Sequence, residues 1–317
     1  MNEARTLTLR VQKAELISPS LKHVVLESAD RSPLPSVGAG SHIRLSLREN
    51  NKKFRNAYSI AAAAGDRSSY EIIVRRVEPS RGGSAFIHNT IDAGQTIEAS
   101  YPGNLFPPSF TAQKHLLISA GIGITPFLSY LSYLRQTRAE VRLHHFCRLD
   151  ELETFRRLLL PFSAGEVHLH PNSTRIDVAN LLQSHPLGTH LYVCGPEKFM
   201  ETVLGAAKTL HWPGSKLHSE SFGGAHAGGA PFVAVLARSG IEVKVGEDQT
   251  LLEAIEAAGV EPPSLCRGGA CGQCLTEIID GIPEHRDHYL SPEEHKAGRA
   301  MMICVSRAKG NRITLDL

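Results

Sequence analysis

Residues 266–274 read CRGGACGQC, and this stretch decides how the C-terminal part of the chain folds. Its cysteines follow the order C-x4-C-x2-C, and 29 residues separate the last of them from a fourth cysteine. A plant-type 2Fe-2S cluster uses this spacing, because one tight loop wraps three thiolates around the iron while a distant strand supplies the last. Gly268, Gly269 and Gly272 let the loop bend and let amide N–H groups approach sulfur. We therefore predict metal ligands at Cys266, Cys271, Cys274 and Cys304.

A structural zinc site and a pair of disulfides are the alternatives for four cysteines. Zinc sites usually combine two short C-x2-C turns, whereas this stretch offers one. Disulfides go with secretion, and the opening MNEARTLTLR lacks the apolar core of a signal peptide. Cys147 and Cys194 end apolar runs, so we expect them to be buried strand residues.

Length and composition narrow the class of protein. A chain of 317 residues suggests two or three domains. The net charge of +2, from 34 basic and 32 acidic residues without a basic block, argues against nucleic acid and membranes as partners. The 16 histidines are scattered without an HExxH motif, which predicts packing or surface roles instead of a histidine metal site. We expect a cytoplasmic monomer.

The pattern of apolar residues divides the chain before the cysteine loop in two. Over residues 1–108, short strands are predicted at 7–11, 23–27, 42–47, 58–61, 70–77 and 96–100, which favours an antiparallel β-barrel or sandwich. Over 109–222, strands at 115–120, 141–147, 166–170 and 190–194 alternate with helices at 125–136, 152–160, 177–184 and 197–210. This alternation is typical of a parallel, doubly wound sheet.

The remainder of the chain predicts a linker and a small third domain. Residues 223–231 are mostly glycine and alanine and have little to bury. Residues 232–317 predict strands at 232–238 and 241–245, a helix at 251–258, the cysteine loop and three later strands. The expected fold is therefore multidomain: a barrel, an α/β domain and an α+β module for the cluster.

Two glycine turns in the α/β part predict a nucleotide site. The first, Gly121-Ile122-Gly123-Ile124-Thr125-Pro126, lies at a strand-to-helix junction, where backbone N–H groups can approach a pyrophosphate. The second, Cys194-Gly195-Pro196, ends the last predicted parallel strand, at the same carboxyl edge of the sheet. One short glycine turn is a weak signal, but two at one edge favour a dinucleotide.

The barrel part carries two motifs that suit a flavin. Arg55-Asn56-Ala57-Tyr58-Ser59-Ile60 places a guanidinium, an aromatic ring and a hydroxyl on one strand. Arg81-Gly82-Gly83-Ser84 joins an anion-binding arginine to a Gly-Gly turn, before a helix predicted at 85–89. An ordinary strand pair and turn is the alternative interpretation.

Taken in order along the whole chain, these motifs and residues 218–222 resemble the phthalate dioxygenase reductase family. The resemblance implies an FMN-binding barrel of ferredoxin reductase type, an NADH-binding domain and a C-terminal β-grasp ferredoxin. It implies that Tyr58 packs on the isoalloxazine ring, with two catalytic positions: Ser59 near flavin N5 and Thr125 near the nicotinamide. FAD is the alternative flavin, because relatives of this fold use it.

The resemblance also implies the other cofactor contacts. The implied flavin contacts are Arg55, Asn56, Ile60 and the backbone of Val74, Arg75 and Arg76. The residues implied to bind the flavin phosphate are Arg81, Gly82, Gly83 and Ser84. The coenzyme contacts are Gly121, Ile122, Gly123, Pro126, Arg148, Asp150, Cys194, Gly195, Pro196 and Phe222.

The sequence departs from the family at the predicted phosphate-binding strand, and it indicates which coenzyme is preferred. The family usually has arginine where this chain has Asn56, and its own arginine is one residue earlier. Because side chains alternate along a strand, Arg55 would need a bulge to reach the phosphate. Asp150, with Glu151 beside it, disfavours a 2′-phosphate near the adenosine ribose, which predicts NADH over NADPH.

The activity that the resemblance implies is that of an NADH:acceptor oxidoreductase. Two electrons enter as hydride, the flavin separates them, and the cluster passes them singly to an external acceptor. The implied acceptor is a Rieske-type oxygenase or demethylase acting on an aromatic acid, a methoxylated aromatic or a quaternary amine. The alternatives are a reductase for a diiron monooxygenase, and a flavin and iron-sulfur carrier or sensor.

Overall fold

The computed structural model describes residues 6–49, 52–62, 65–78, 82–137, 139–162, 166–171, 177–183, 185–222 and 228–317. The chain divides into two compact units, Met1–Ser221 and Phe222–Leu317. Among the helices of these described ranges, none has the length and apolar character needed to cross a membrane.

The first unit opens with an antiparallel sheet that forms a nearly closed barrel, as predicted. Its strands are β1 (Thr6–Ser18), β2 (Leu21–Ser28), β3 (Ser41–Glu49), β4 (Lys52–Ser59), β5 (Tyr70–Arg75), β6 (Thr96–Ser100) and β7 (Gly103–Asn104). Helix α1 (Gly83–Thr90) lies between β5 and β6 in the chain. The order across the sheet is β4-β3-β6-β1-β2-β5, and β7 pairs with β3. Alternate apolar side chains such as Leu9, Ile43 and Tyr70 form the barrel core.

The same unit continues with a five-stranded parallel sheet of order β10-β9-β8-β11-β12. The strands are β8 (Lys114–Ala120), β9 (Glu140–Cys147), β10 (Glu166–Pro171), β11 (Thr189–Cys194) and β12 (Leu217–Glu220). The helices are α2 (Thr125–Leu134), α3 (Leu152–Leu159), α4 (Val178–Leu182) and α5 (Glu197–Thr209). Helices α2 and α3 cover one face and α4 and α5 the other, so the sheet is doubly wound as predicted.

Strand β12 is the one parallel strand of the described residues that the apolar pattern did not predict. Its residues, LHSE, contain a single aliphatic side chain and are partly exposed. Leu217 nevertheless pairs with Leu191, in the centre of β11. The strand therefore depends on its neighbour for its conformation, which local sequence does not reveal.

A shared apolar core joins the barrel to the parallel sheet. Leu21 and Ile73 of the barrel pack in one cluster with Phe127, Tyr130 and Tyr192 of the α/β part. This continuous core explains why both sheets belong to one compact unit.

The second unit is an α+β fold of β-grasp type, as predicted. Its elements are β13 (Phe232–Leu236), β14 (Ile241–Val245), α6 (Leu251–Ala257), β15 (Leu275–Asp280), β16 (Pro283–Glu284), α7 (Pro292–Ala297), β17 (Ala300–Met302), β18 (Arg307–Ala308) and β19 (Arg312–Leu315). The main sheet has the order β14-β13-β19-β15-β17, with β13 and β19 parallel, and β16 pairs with β18. Thr250 and Glu253 form a capping box at the start of α6.

Part of the predicted linker is held by the second unit. Residues 223–227 lie outside the described residues. Arg286 Nη1 donates to Gly228 O at 2.7 Å, and Arg307 Nη2 donates to Ala230 O at 3.1 Å. Arg307 is buried, so the residues after 227 are fixed to the ferredoxin fold by two guanidinium groups.

Candidate functional site

Strand β4 ends with two buried hydroxyl groups. Tyr58 is paired with Ile43 and Ser59 with His42, so the two side chains point to opposite faces of the strand. Neither Tyr58 Oη nor Ser59 Oγ has a hydrogen-bond partner within the described part of the chain. Burial raises the pKa of Tyr58. A buried hydroxyl without a partner costs about 1–3 kcal/mol, so both groups fit a site in which a bound flavin supplies the missing contacts.

The Gly-Gly turn before α1 lies tightly against this strand. A Cβ at Gly82 would come within 2.3 Å of the Phe54 ring, and one at Gly83 within 2.1 Å of Asn56 Oδ1. Gly82 also has a φ of 115°, which L-residues rarely adopt. Arg81 lies outside the described residues, and the Ser84 hydroxyl accepts a hydrogen bond from Val77 N at 3.3 Å.

The pairing of β4 with β3 decides which side chain faces that turn. The register runs from Glu49 and Lys52 to His42 and Ser59 without a shift, so β4 has no bulge. Asn56 therefore shares a face with Tyr58 and contacts the turn, whereas Arg55 lies on the opposite face. The role of Arg55 towards a flavin phosphate stays a prediction.

The end of β5, whose backbone is predicted to line the flavin, is fixed through its neighbours. His88 Nε2 of α1 donates to Val74 O at 2.9 Å. Arg75 forms a two-point ion pair with Glu151, which follows strand β9 in the parallel sheet. Arg76 donates to exposed carboxylate and amide groups. Strand β5 is thereby connected both to α1 and to the α/β part.

The two predicted glycine turns lie in contact at the carboxyl edge of the parallel sheet, as expected. Strands β8 and β11 are neighbours, and Cys194 is paired with Ser119. A Cβ on Gly123 would lie 2.3 Å from Cys194 O, and one on Gly195 would lie 3.1 Å from Ala120 Cβ. The first turn thus requires glycine at position 123, because a side chain there would collide with the backbone of the second turn.

Thr125 and Pro126 open helix α2 directly after the first turn. Thr125 is almost fully buried, and its Oγ1 donates to Ile122 O at 3.0 Å. The hydroxyl thereby stabilises the turn by a hydrogen bond to a carbonyl within that turn. Its position near a nicotinamide stays a prediction.

Arg148 and Asp150 form an exposed ion pair after strand β9. Arg148 Nη2 lies 2.6 Å from Asp150 Oδ2, and Nε lies 3.1 Å from Oδ1. Glu151, which the sequence grouped with Asp150 near the adenosine ribose, has a buried side chain engaged with Arg75. Of the two acids, Asp150 is the one exposed to solvent.

Three other predicted residues have simple environments. Cys147 and Cys194 are buried, as the apolar runs predicted, and burial raises the pKa of both thiols. Phe222 begins the second unit and is partly exposed.

The four cysteines of the C-terminal motif come together in two pairs. The thiols of Cys266 and Cys271 lie close enough together to shift each other's pKa, and so do those of Cys274 and Cys304. The neighbouring Cys271 thiol, with N–H groups of the loop, lowers the pKa of Cys266. All six cysteines of the chain are free thiols. Two adjacent pairs fit a cluster of two irons held by four thiolates.

Arg267 holds the cysteine loop from inside. It has a φ of 53°, in the left-handed region that non-glycine residues rarely adopt. Its guanidinium makes a two-point ion pair with Glu256 of α6 at 2.8 and 2.6 Å. Both side chains are largely buried, so the pair stabilises a strained position next to Cys266.

Two glycines allow other side chains to lie against the same loop. Gly272 has a φ of 77°, and a Cβ there would come within 2.4 Å of the Tyr289 ring. Gly269 has a φ of 73°, and a Cβ there would lie 2.8 Å from Val305 Cγ2 and 3.1 Å from Asp287 Cα.

The Asp287 carboxylate connects the segment around α7 to Ser306, two residues after Cys304. It accepts hydrogen bonds from Leu290 N at 2.9 Å, His295 Nε2 at 3.2 Å and Ser306 Oγ at 3.2 Å. Burial alone would raise the pKa of Asp287, but these donors outweigh it and hold the pKa below its usual value. Together with His285 it forms the one candidate metal group among the described residues outside the cysteines. Its carboxylate already has three donors, so we assign it a structural role.

Sequence reasoning missed the charged partners of these motifs. Glu151, Glu256 and Asp287 each act through a contact between distant segments, and no local pattern marks them. Arg267 lies within the cysteine loop, and an arginine in such a loop could have been used to predict an ion pair with an acidic residue nearby.

Comparisons with known proteins agree with this geometry. Residues 235–309 match the family model of the 2Fe-2S iron-sulfur cluster binding domain. Residues 101–217 match the N-terminal domain model of dimethylamine monooxygenase subunit DmmA-like proteins.

Similar proteins cover nearly the whole chain. The carnitine monooxygenase reductase subunit of Escherichia coli (strain K12) is 41% identical over 100% of both chains. The heme-dependent oxidative N-demethylase beta subunit of Ectopseudomonas mendocina (strain ymp) is 41% identical over 98% of this chain and 99% of its own. A solved phthalate dioxygenase reductase, described as modular for electron transfer from pyridine nucleotides to [2Fe-2S], superposes with a TM-score of 0.83 at 32% identity over 98% of each chain.

Proposed function

The chain belongs to the phthalate dioxygenase reductase family, and from that premise we propose that it carries electrons from NADH through FMN to a Rieske-type oxygenase. Membership of the family establishes the general function of the chain. The chain is an oxidoreductase, the reductase component of an oxygenase system, and it uses a flavin, a nicotinamide coenzyme and a 2Fe-2S cluster. FMN, NADH and the Rieske type of the partner are the proposal.

The pairing of the four cysteines is the observation that carries this function. Cys266 with Cys271, and Cys274 with Cys304, would hold the cluster, at the point where electrons leave the protein. When bound, a flavin takes both electrons of NADH and releases them singly to a one-electron centre.

We assign the parts of the chain accordingly. Residues 1–108 would bind the flavin, 109–222 the coenzyme and 232–317 the cluster, with 223–231 connecting them. Tyr58 and Ser59 would contact the flavin ring, because their buried hydroxyls have no hydrogen-bond partner among the described residues. The contacting turns at Gly121 and Cys194 would hold the coenzyme.

FMN is favoured over FAD by the surroundings of the Gly-Gly turn. The aromatic residue that follows the turn, Phe86, packs on Phe54 with ring centroids 6.5 Å apart. Both rings pack against the barrel core, so the Phe86 ring is already engaged and does not provide a surface on which an adenine ring could stack. Heat release of the flavin and its identification by chromatography test this assignment.

We propose a methylated amine as the substrate of the partner oxygenase. The support comes from the relatives named for carnitine monooxygenase and oxidative N-demethylase, and from the dimethylamine monooxygenase match. A heme-dependent N-demethylase is the second candidate partner, favoured by the similarity to a subunit of such an enzyme. We further propose that the protein is a cytoplasmic monomer.

Steady-state assays with two acceptors test the electron path. Purified holoprotein should reduce both ferricyanide and cytochrome c with NADH. The Cys304→Ser variant should lose cluster absorbance and cytochrome c reduction while most ferricyanide reduction survives, because the flavin can feed ferricyanide directly. Cys147→Ser, which replaces a buried thiol outside the loop, is the control. Equal loss of both activities in Cys304→Ser would contradict separate flavin and cluster stations.

A further inference from the structure

The ion pair between Arg75 and Glu151 joins the two halves of the first unit. Arg75 is the last residue of β5 in the barrel, and Glu151 ends the short turn that follows β9 in the parallel sheet. Arg75 Nη1 lies 2.7 Å from Glu151 Oε1, and Nη2 lies 3.0 Å from Oε2. Ser20, between β1 and β2, adds a hydrogen bond from its Oγ to Oε1 at 2.8 Å. The end of strand β5 and the turn between β1 and β2 therefore hold one carboxylate of the α/β part.

The pair is largely removed from water. The Glu151 side chain is 5% accessible and that of Arg75 is 21%. Burial alone would raise the pKa of Glu151, but the donors Arg75 and Ser20 outweigh it, and the pKa lies below its usual value. A buried two-point pair has a defined geometry, and loss of one partner leaves the other charge uncompensated.

The pair lies in or beside three segments of the proposed electron entrance. The backbone of Arg75 belongs to the segment assigned to the flavin. Arg75 Nη2 lies 3.6 Å from the place where a Cβ on Gly121 would be, so the guanidinium is next to the coenzyme turn. Glu151 directly follows Asp150, in the turn assigned to the adenosine ribose.

We propose that Arg75 and Glu151 form a positioning pair that sets the coenzyme turn against the flavin strand for electron transfer from NADH. This inference rests on the proposed function and deepens it. The two side chains act through the backbone of β5 and of the turn after β9, so both are positioning residues. Removal of the pair should therefore slow flavin reduction while NADH is still bound, because small errors in the alignment of reactants are costly in rate.

Anaerobic stopped-flow reduction of the flavin by NADH tests the proposal, together with NAD⁺ binding by calorimetry and thermal unfolding. Glu151→Gln and Arg75→Lys should lower the limiting rate at least about tenfold, while the Kd for NAD⁺ changes less than about twofold. Ser20→Ala, which keeps the pair, should lower the rate about twofold to threefold. Glu153→Gln is the matched control, since this carboxylate two residues further on is exposed and, within the described ranges, pairs with Arg156 and Arg157 of its own helix.

A double variant separates positioning from stability. Arg75→Met with Glu151→Met removes both charges and avoids an unpaired buried group. We expect its unfolding midpoint to recover towards that of the wild type while its limiting rate stays low. Recovery of the rate together with the midpoint would show that the pair only stabilises the fold and would overturn the proposal. A wild-type limiting rate in Glu151→Gln would overturn it as well.

The remaining outcomes are also decisive. If neither Glu151 variant folds, the rate of Ser20→Ala decides, and a wild-type value refutes the positioning role. Failure of the proposed function itself would appear in the wild-type protein, as an absence of flavin reduction by NADH, before any variant is compared.

Discussion

Single residues set how closely the two glycine turns, which are predicted to bind the coenzyme, approach each other. Gly123 passes the carbonyl of Cys194 at a distance that leaves no room for a side chain. Glycine is required there by contact between the turn after β8 and the end of β11, and the φ at Gly123 is not in the left-handed region. The glycine pattern of the sequence thus has a steric reason that belongs to the tertiary structure.

Replacement of Gly123 by alanine should disrupt the coenzyme site. The new Cβ would lie 2.3 Å from Cys194 O and would push the two turns apart. We expect the Kd for NAD⁺ to rise at least about tenfold, ~1.4 kcal/mol, measured by calorimetry. Gly205→Ala in α5 is the control, because no atom lies within 4 Å of its Cβ position. That change should stabilise the protein by about 0.5–1 kcal/mol. Unchanged NAD⁺ binding in Gly123→Ala would exclude this turn as the coenzyme site.

The coenzyme preference depends on a second residue, Asp150. Its carboxylate engages Arg148, and its charge would repel a 2′-phosphate. Asp150→Asn removes this charge and releases Arg148, so kcat/KM for NADPH should rise about tenfold relative to NADH. Glu153→Gln, which alters an exposed acid of the following helix, controls for net charge. An unchanged ratio would place the ribose elsewhere.

At the scale of elements, helix α1 connects the barrel interior to the proposed phosphate site. Its first residues, Gly83 and Ser84, lie at the turn assigned to the FMN phosphate. Its other end is held by Lys22, whose buried Nζ donates to Ile87 O at 3.1 Å and to Ile91 O at 2.5 Å. A cation at the C-terminus also complements the helix dipole. The position of the phosphate turn therefore depends on a lysine in strand β2.

Replacement of Lys22 by methionine should weaken flavin retention. Loss of the ammonium leaves the last carbonyls of α1 without their donor, which frees the helix to shift. We expect the Kd for the flavin to rise about threefold to tenfold, ~0.7–1.4 kcal/mol, as measured by flavin fluorescence during dialysis. Lys13→Met, at an exposed lysine of β1, is the control. Equal flavin loss from both variants would show that α1 is not the phosphate element.

At the scale of the whole molecule, the two units carry different redox groups. Apart from Phe222, the residues predicted to contact the flavin and the coenzyme belong to the unit Met1–Ser221, and the four cysteines belong to Phe222–Leu317. Each unit has its own apolar core. Unfolding probes on the two cofactors should therefore report different transitions.

Urea unfolding followed by cluster absorbance and by flavin fluorescence should give transitions that do not coincide. Glu256→Gln breaks the buried pair with Arg267 and should destabilise the second unit by up to about 3–5 kcal/mol, which shortens the half-time of cluster loss. The flavin transition should stay in place. Glu242→Gln, at an exposed pair with Arg312, should change stability by no more than about 1 kcal/mol. Coincident transitions that move together in Glu256→Gln would show that the chain unfolds as one cooperative block.

Much of the fold and the site was predictable from short patterns. The cysteine spacing, the glycine turns and the change from short alternating strands to the βαβ rhythm each depend on a few neighbouring residues. Local sterics and side-chain chemistry suffice to interpret such patterns. Strand β12 was missed because its four residues become a strand only by pairing with β11.

The sequence by itself determined the order of the three folds and the two glycine turns at one sheet edge, and it predicted four cysteines as ligands of the cluster. The tertiary structure alone decided that Asn56, instead of Arg55, faces the Gly-Gly turn. It also decided that Arg75 meets Glu151, 76 residues away. The reason is physical: strand register and ion pairs between distant segments depend on how whole sheets pack, and packing is not encoded in any short stretch of residues.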